Sequence, residues 1–203
     1  MATPRSTTGY AILGLLGLRS WTTYELAKQV QRSLSWFWPR AERKLYDEPK
    51  RLVADGLATA SAEATGKRAR TVYSVTEEGR EALRGWLDES PAPRTTEFEG
   101  MVKVFFADAG SLDQLRTTLD RIATEAQGRL DEVAALAEIW VDGEPAFPAR
   151  AHLGALGLEF QRQQEEAVLR WARWAREQVG HWTAADDPGG WDPTKVFSGL
   201  ARG

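Results

Sequence analysis

The sequence predicts a mainly α-helical protein with one β-hairpin, arranged as two domains. Three observations carry that expectation. Apolar residues recur at steps of three and four through most of the 203 residues, the spacing of one helix face. The period changes once, between Leu57 and Val75, where Thr, Val, Tyr and small residues flank "EATGKRA", the pattern of two strands around a tight connection. Helical patterning is also interrupted at residues 88–97, "DESPAPRTTE", by two prolines among small polar residues. Residues 1–90 are expected to form the first domain, residues 95–182 a helical second domain, and residues 183–203, rich in Gly, Asp and Pro, a loosely ordered tail.

The elements follow in order. "TTGYAILGLLGL" reads as a short, mostly apolar and therefore mostly buried helix. "TTYELAKQV" is a second helix, with Thr22 and Glu25 at the spacing of a capping box. "WPRAERKLYDEPKRLVADG" is a third, entered through Pro39 and stopped by Gly56. The hairpin comes next, with strands at residues 57–62 and 70–75 and a basic tip. "TEEGREALRGWLDE" returns to helical spacing, capped by Thr76, with Ala82, Trp86 and Leu87 as its apolar stripe.

The back half is helical throughout. "TEFEGMVKVFFADAG" places Phe98, Val102, Phe105 and Phe106 together, and Gly110 ends it. Ser111 and Gln114 cap a longer helix whose stripe runs Leu115, Leu119, Ile122, Ala126, Leu130, Val133, Ala137 and Trp140. A last helix, residues 149–181, carries Leu153, Leu156, Phe160, Ala167, Trp171, Trp174 and Val179 at similar steps. Three helices bury such stripes poorly, so a second copy of the chain is expected to complete the core.

The third helix holds the candidate site. At 100° per residue, Arg40, Arg43, Lys44, Asp47, Lys50 and Arg51 fall within about a third of the circumference, and Leu45, Pro49, Leu52 and Val53 lie opposite. A basic outward face on a helix that follows a short capped helix is the geometry of a helix-turn-helix, and a hairpin with Lys67, Arg68 and Arg70 at its tip supplies a wing. Arginine and lysine suit guanine edges and phosphates. Asp47 either accepts from a cytosine amino group or orients a neighbouring arginine. Pro49 is the anomaly, because an interior proline costs about 3 kcal/mol and leaves the Leu45 carbonyl without its donor. A bend there, or a new helix capped by Asp47, would accommodate it.

Charge supports the same division. Residues 1–90 hold 14 basic against 11 acidic side chains and residues 91–203 hold 12 against 18, so the front half suits a polyanion although the whole chain is at −3. There is no cysteine, and His152 and His181 stand alone, which leaves no metal-ligand set or cofactor motif. The carboxylate pairs Glu97 with Glu99 and Glu165 with Glu166 have no histidine or phosphate loop beside them, so an enzyme is not expected. No apolar run approaches a membrane span, and a cytoplasmic protein is expected.

"YAILGLL", "YELAKQV", "LYDEPKRLVADGLA" and "VYSVTEEGREALRGWL", within residues 9–87, resemble the successive signatures of the PadR family of bacterial transcriptional regulators. The back half resembles the longer helical dimerisation region of that family's virulence-regulator-like branch. The resemblance implies a homodimeric winged helix-turn-helix repressor on an inverted-repeat operator in double-stranded DNA, often released by a small aromatic effector. It implies a phosphate contact for Tyr46, and matches Lys50 and Arg51 to the family's following basic pair and Lys67 and Arg68 to its wing tip. Thr22 and Thr23 stand where the family commonly has His-Gly, which affects capping more than DNA contact; Asp47 and Glu48 stand where uncharged residues are frequent, so no base preference carries over. Trp140, Trp171 and Trp174 either stack on such an effector or continue the dimer core, which is the simpler account. A winged helix serving as a protein-interaction module is the contrasting function.

Overall fold

The structure, a computed structural model, describes residues 6–34, 38, 42–65 and 68–202, with the side chains of residues 42–44, 64, 65, 68 and 69 outside that description. The chain divides into two compact units, Met1–Arg94 and Thr95–Gly203, and the boundary falls inside the proline-bearing stretch.

The first unit is built around α1 (Thr7–Leu18), capped by Ser6, whose side chain accepts the Gly9 amide. Its apolar composition is explained by its place at the centre, where Ile12, Leu13, Leu15 and Leu16 are buried. The capping box expected at the start of α2 (Thr23–Ser33) is present, with Glu25 Oε2 accepting the Thr22 amide at 2.8 Å. That amide is the main reason the Glu25 carboxyl lies below the usual range, with the Thr22 hydroxyl and Arg19 adding to it.

The third helix, α3 (Glu42–Ala54), runs without a break through Pro49, which excludes a second helix starting there. Pro49 is almost fully buried beside Leu45 and Leu52, so its ring packs in the core on the side away from the basic residues. The helix stops at Gly56, whose φ of 73° favours glycine, and the Gly56 and Leu57 amides close on the carbonyls of Val53 at 3.0 Å and Leu52 at 2.9 Å. Pro39, expected at its entrance, lies outside the described residues.

The sheet has three strands, not two. Alongside the hairpin of β2 (Ala58–Thr65) and β3 (Arg68–Val75), Trp21–Thr22 forms a short β1 on the far edge of β3. A two-residue strand leaves no period to read. Trp21 is fixed there by its indole N–H donating to the Leu15 carbonyl at 2.7 Å. The hairpin strands also run further than expected, because Thr65 pairs with Arg68 and only two residues lie between them. The fourth helix, α4 (Glu77–Leu87), is capped by Thr76 as expected. Trp86 packs, but Leu87 is exposed.

The second unit begins with α5 (Glu99–Phe105) and a 3₁₀ turn, then an antiparallel pair of long helices, α6 (Leu112–Val141) and α7 (Ala151–Val179). Ser111 and Gln114 form the expected capping box. The stripe read for α6 is the buried one, with Leu115, Leu119, Ile122, Ala126 and Val133 under cover. For α7 the expected stripe is covered only in part within one chain, Val179 being buried and Trp171 half-buried. Gln161, Glu165, Leu169, Ala172, Ala175 and Val179 turn inward, whereas Leu153, Leu156, Phe160 and Trp174 are exposed. The small residues Ala172 and Ala175 let the two helices approach, and the larger apolar side chains are left on another face. Residues 183–202, expected to be loosely ordered, carry α8 (Thr194–Leu200) and return Trp191 to α7, its indole N–H donating to Gln178 Oε1 at 3.0 Å. Among the described residues no helix is long and apolar enough to cross a membrane.

Candidate nucleic-acid interface

The interface is built on α3, whose inward half is Leu45, Pro49 and Leu52 and whose outward half presents Asp47, Lys50 and Arg51. Burial therefore follows the division expected at 100° per residue. Tyr46 is half-buried on the flank. Arg43 and Lys44 lie in the first turn of α3, their side chains outside the description, and Arg40 lies outside the described residues.

On the wing, Lys67 falls between the paired ends of the strands and lies outside the described residues, and Arg68 opens β3 with its side chain undescribed. Arg70 is not at the tip. The register sets it opposite Glu63, two pairs in from Thr65 and Arg68, and its guanidinium lies 3.6 Å from the Glu63 carboxylate. The strands continue through residues with weak strand preference because the ladder closes on a two-residue connection, and that leaves Arg70 two pairs inside the tip.

Glu48 is the residue that the sequence reading left unassigned. It is buried although charged, and two side chains meet its carboxylate. Ser6 Oγ donates to Oε1 at 3.2 Å, the Arg51 guanidinium lies 3.6 Å from Oε2, and a Cβ added to Gly9 would fall 2.7 Å from Oε1. The carboxylate thus sits at the N-terminal turn of α1, where exposed amides and the helix dipole favour an anion. A faint signal existed in sequence, since Glu48 lies 100° from Asp47, at the border of the two faces.

In the second unit, Trp171 and Trp174 line a cleft of about 330 Å³ together with Phe105, Asp108, Trp182 and Trp191. Trp140 does not join them. Its ring lies over Gly154, where an added Cβ would come within 2.9 Å of it. The 17 residues between Gly154 and Trp171 on α7 correspond to roughly 25 Å, so the three tryptophans do not make one site within a chain. Among the described residues no group of acidic or histidine side chains is placed to hold a metal.

Comparison with known proteins sets this arrangement in a family. The sequence model of the "Transcriptional regulator PadR-like family" matches residues 12–85, and that of the "Virulence activator alpha C-term" matches residues 99–179. The negative transcriptional regulator PadR of Bacillus subtilis (strain 168) is 30% identical over 148 residues, spanning 68% of this chain and 81% of that protein. The chain belongs to the PadR-like family of transcriptional regulators. It is accordingly a regulator and not an enzyme. Its fold matches the crystal structure of Bacillus subtilis PadR in complex with operator DNA, with a TM-score of 0.75, 23% identity, and coverage of 86% of this chain and 99% of that one. The same protein in complex with p-coumaric acid matches with a TM-score of 0.69 and 22% identity, over 86% of this chain and 99% of that one. These two likenesses establish the winged-helix fold with its long C-terminal helices.

Proposed function

We propose that this PadR-like regulator is a sequence-specific repressor that binds an inverted-repeat operator in double-stranded DNA as a homodimer. The observation that carries the reading is the division of α3, with Lys50 and Arg51 exposed over a buried Leu45, Pro49 and Leu52. A helix so divided docks by one face and offers the other to the major groove, with Arg43 and Lys44 on its leading turn. Tyr46, Lys50, Arg51 and the wing residues Lys67 and Arg68 hold phosphates; Arg70, tied to Glu63 in the ladder, contributes less. The B. subtilis relative, crystallised with operator DNA, supports the same use of the fold.

Homodimerisation is supported by the face that α7 leaves uncovered. Leu156 and Phe160 stay 70% and 45% exposed in the single chain, which is apolar surface that a second copy would remove from water. Release by a small aromatic effector is supported by the cleft at Trp171 and Trp174 and by the p-coumaric acid complex of the B. subtilis relative. Trp140 is assigned to the helix-pair core.

Titrating the full chain into a labelled 30-base-pair duplex of mixed sequence at several salt concentrations tests the reading. Affinity is expected to fall steeply as salt rises, with a slope that reports the phosphate contacts. A chain that ignores the duplex would instead be a winged-helix protein-interaction module.

A further inference from the structure

We propose that Glu48 is a positioning residue for DNA binding: its buried carboxylate, anchored at the start of α1, holds the Arg51 guanidinium in place for a backbone phosphate. The inference rests on the DNA-binding reading above and adds to it a residue that does not touch DNA.

The geometry has two parts. One carboxylate oxygen is fixed, because Ser6 Oγ donates to Oε1 at 3.2 Å while the same hydroxyl accepts the Gly9 amide at 3.2 Å. The anion is therefore attached to the cap that starts α1. The other oxygen faces outward, 3.6 Å from Arg51 Nη1, and here the exposures differ sharply: the Glu48 side chain is 11% exposed and the Arg51 side chain 73%. A buried acid anchored through one oxygen, beside an exposed base, acts as a tether. It restricts the long arginine side chain, which otherwise has about 2 kcal/mol of rotamer entropy to lose when it grips a phosphate. The separation is too long for a tight fork, so the guanidinium keeps its donors for an incoming oxygen.

Gly9 completes the arrangement. A methyl group there would fall 2.7 Å from Glu48 Oε1, and the atom it meets is the end of a flexible side chain. Alanine at this position would displace the carboxylate while leaving the α1 backbone in place, and alanine is otherwise the better helix residue.

The test is a double-mutant cycle on the full chain, with the labelled 30-base-pair duplex of mixed sequence as probe. Glu48→Gln keeps the hydrogen bond from Ser6 and removes the charge; Gly9→Ala keeps the charge and moves it. Each is expected to weaken duplex binding about fivefold with Arg51 present, and by less than twofold in an Arg51→Ala background, with the thermal midpoint of Glu48→Gln near that of the parent. Equal or tighter binding by Glu48→Gln would overturn the proposal, since a bystander anion near DNA only repels it. The same loss with and without Arg51 would overturn it as well, by making Glu48 a support of the fold alone. Failure of the parent chain to bind the duplex would overturn this proposal and the DNA-binding reading together.

Discussion

Tyr10 and Trp86 stack with ring centroids 4.8 Å apart and planes within 6° of parallel, so α4 is held to α1, the helix at the centre of the first unit. The hairpin leads directly into α4, and this contact therefore helps set where the wing stands relative to α3. Trp86→Ala is expected to destabilise the chain by about 2 kcal/mol, combining lost apolar burial with the lost ring pair. Urea unfolding of the two proteins checks this; an unchanged midpoint would remove the stack from the account.

Two glycines are required for different reasons, and substitution separates them. At Gly56 an added Cβ has open space around it, but φ is 73°, so Gly56→Ala is expected to cost about 1 kcal/mol through backbone strain. At Gly79 the Cβ would fall 2.1 Å from the Leu57 carbonyl oxygen, which already accepts the Thr76 amide at 3.1 Å. Gly79→Ala must move backbone and is expected to cost more than about 2 kcal/mol. Denaturant midpoints in the opposite order would contradict this packing.

Glu165 gives a pH dependence of definite sign. Burial raises its carboxyl above the ordinary value of 4.5, opposed by Arg129 and Gln161 and reinforced by Glu125 across α6. A carboxyl raised on folding binds its proton more tightly in the folded chain. The stability it adds is full below the ordinary value and is lost as pH rises through the raised one. At pH 7 Glu165→Gln is therefore expected to be more stable than the parent. Its new amide can also donate to Gln161 Oε1, which has no hydrogen-bond partner. The two proteins should converge in unfolding experiments near pH 4; a parent that is the more stable at pH 7 would refute the assignment.

The uncovered face of α7 makes a claim about assembly. Leu156→Glu places a charge on the most exposed of its large apolar residues and is expected to convert a dimer to a monomer without loss of helix content. Sedimentation and circular dichroism together check this, and a variant that stays dimeric would place the interface elsewhere.

What was legible in the sequence followed from periodicity and capping. Thr22, Thr76 and Ser111 cap where their spacing indicated, and the α6 stripe is buried residue for residue from Leu115 to Ala126. On α7 the stripe alone did not show which of its residues the neighbouring helix covers. A helix with apolar residues on two sides does not announce which side its neighbour takes, and here the smaller Ala172 and Ala175 won over Trp174. β1 was too short to carry a period, and Arg70, the expected start of the second strand, lies two pairs inside the tip because pairing extended beyond the residues that favour strands. For Glu48 only its place at the border of the two faces was readable, since its anchor is Ser6, 42 residues away.

Selection of bound duplexes from a random-sequence pool by the full chain tests the central claim most directly. The enriched sequences are expected to converge on an inverted repeat with half-site centres about one helical turn apart, and Arg43→Ala to lose that convergence while still binding duplex DNA at low salt. A pool that remains random after repeated rounds with the parent chain would contradict sequence-specific recognition by α3.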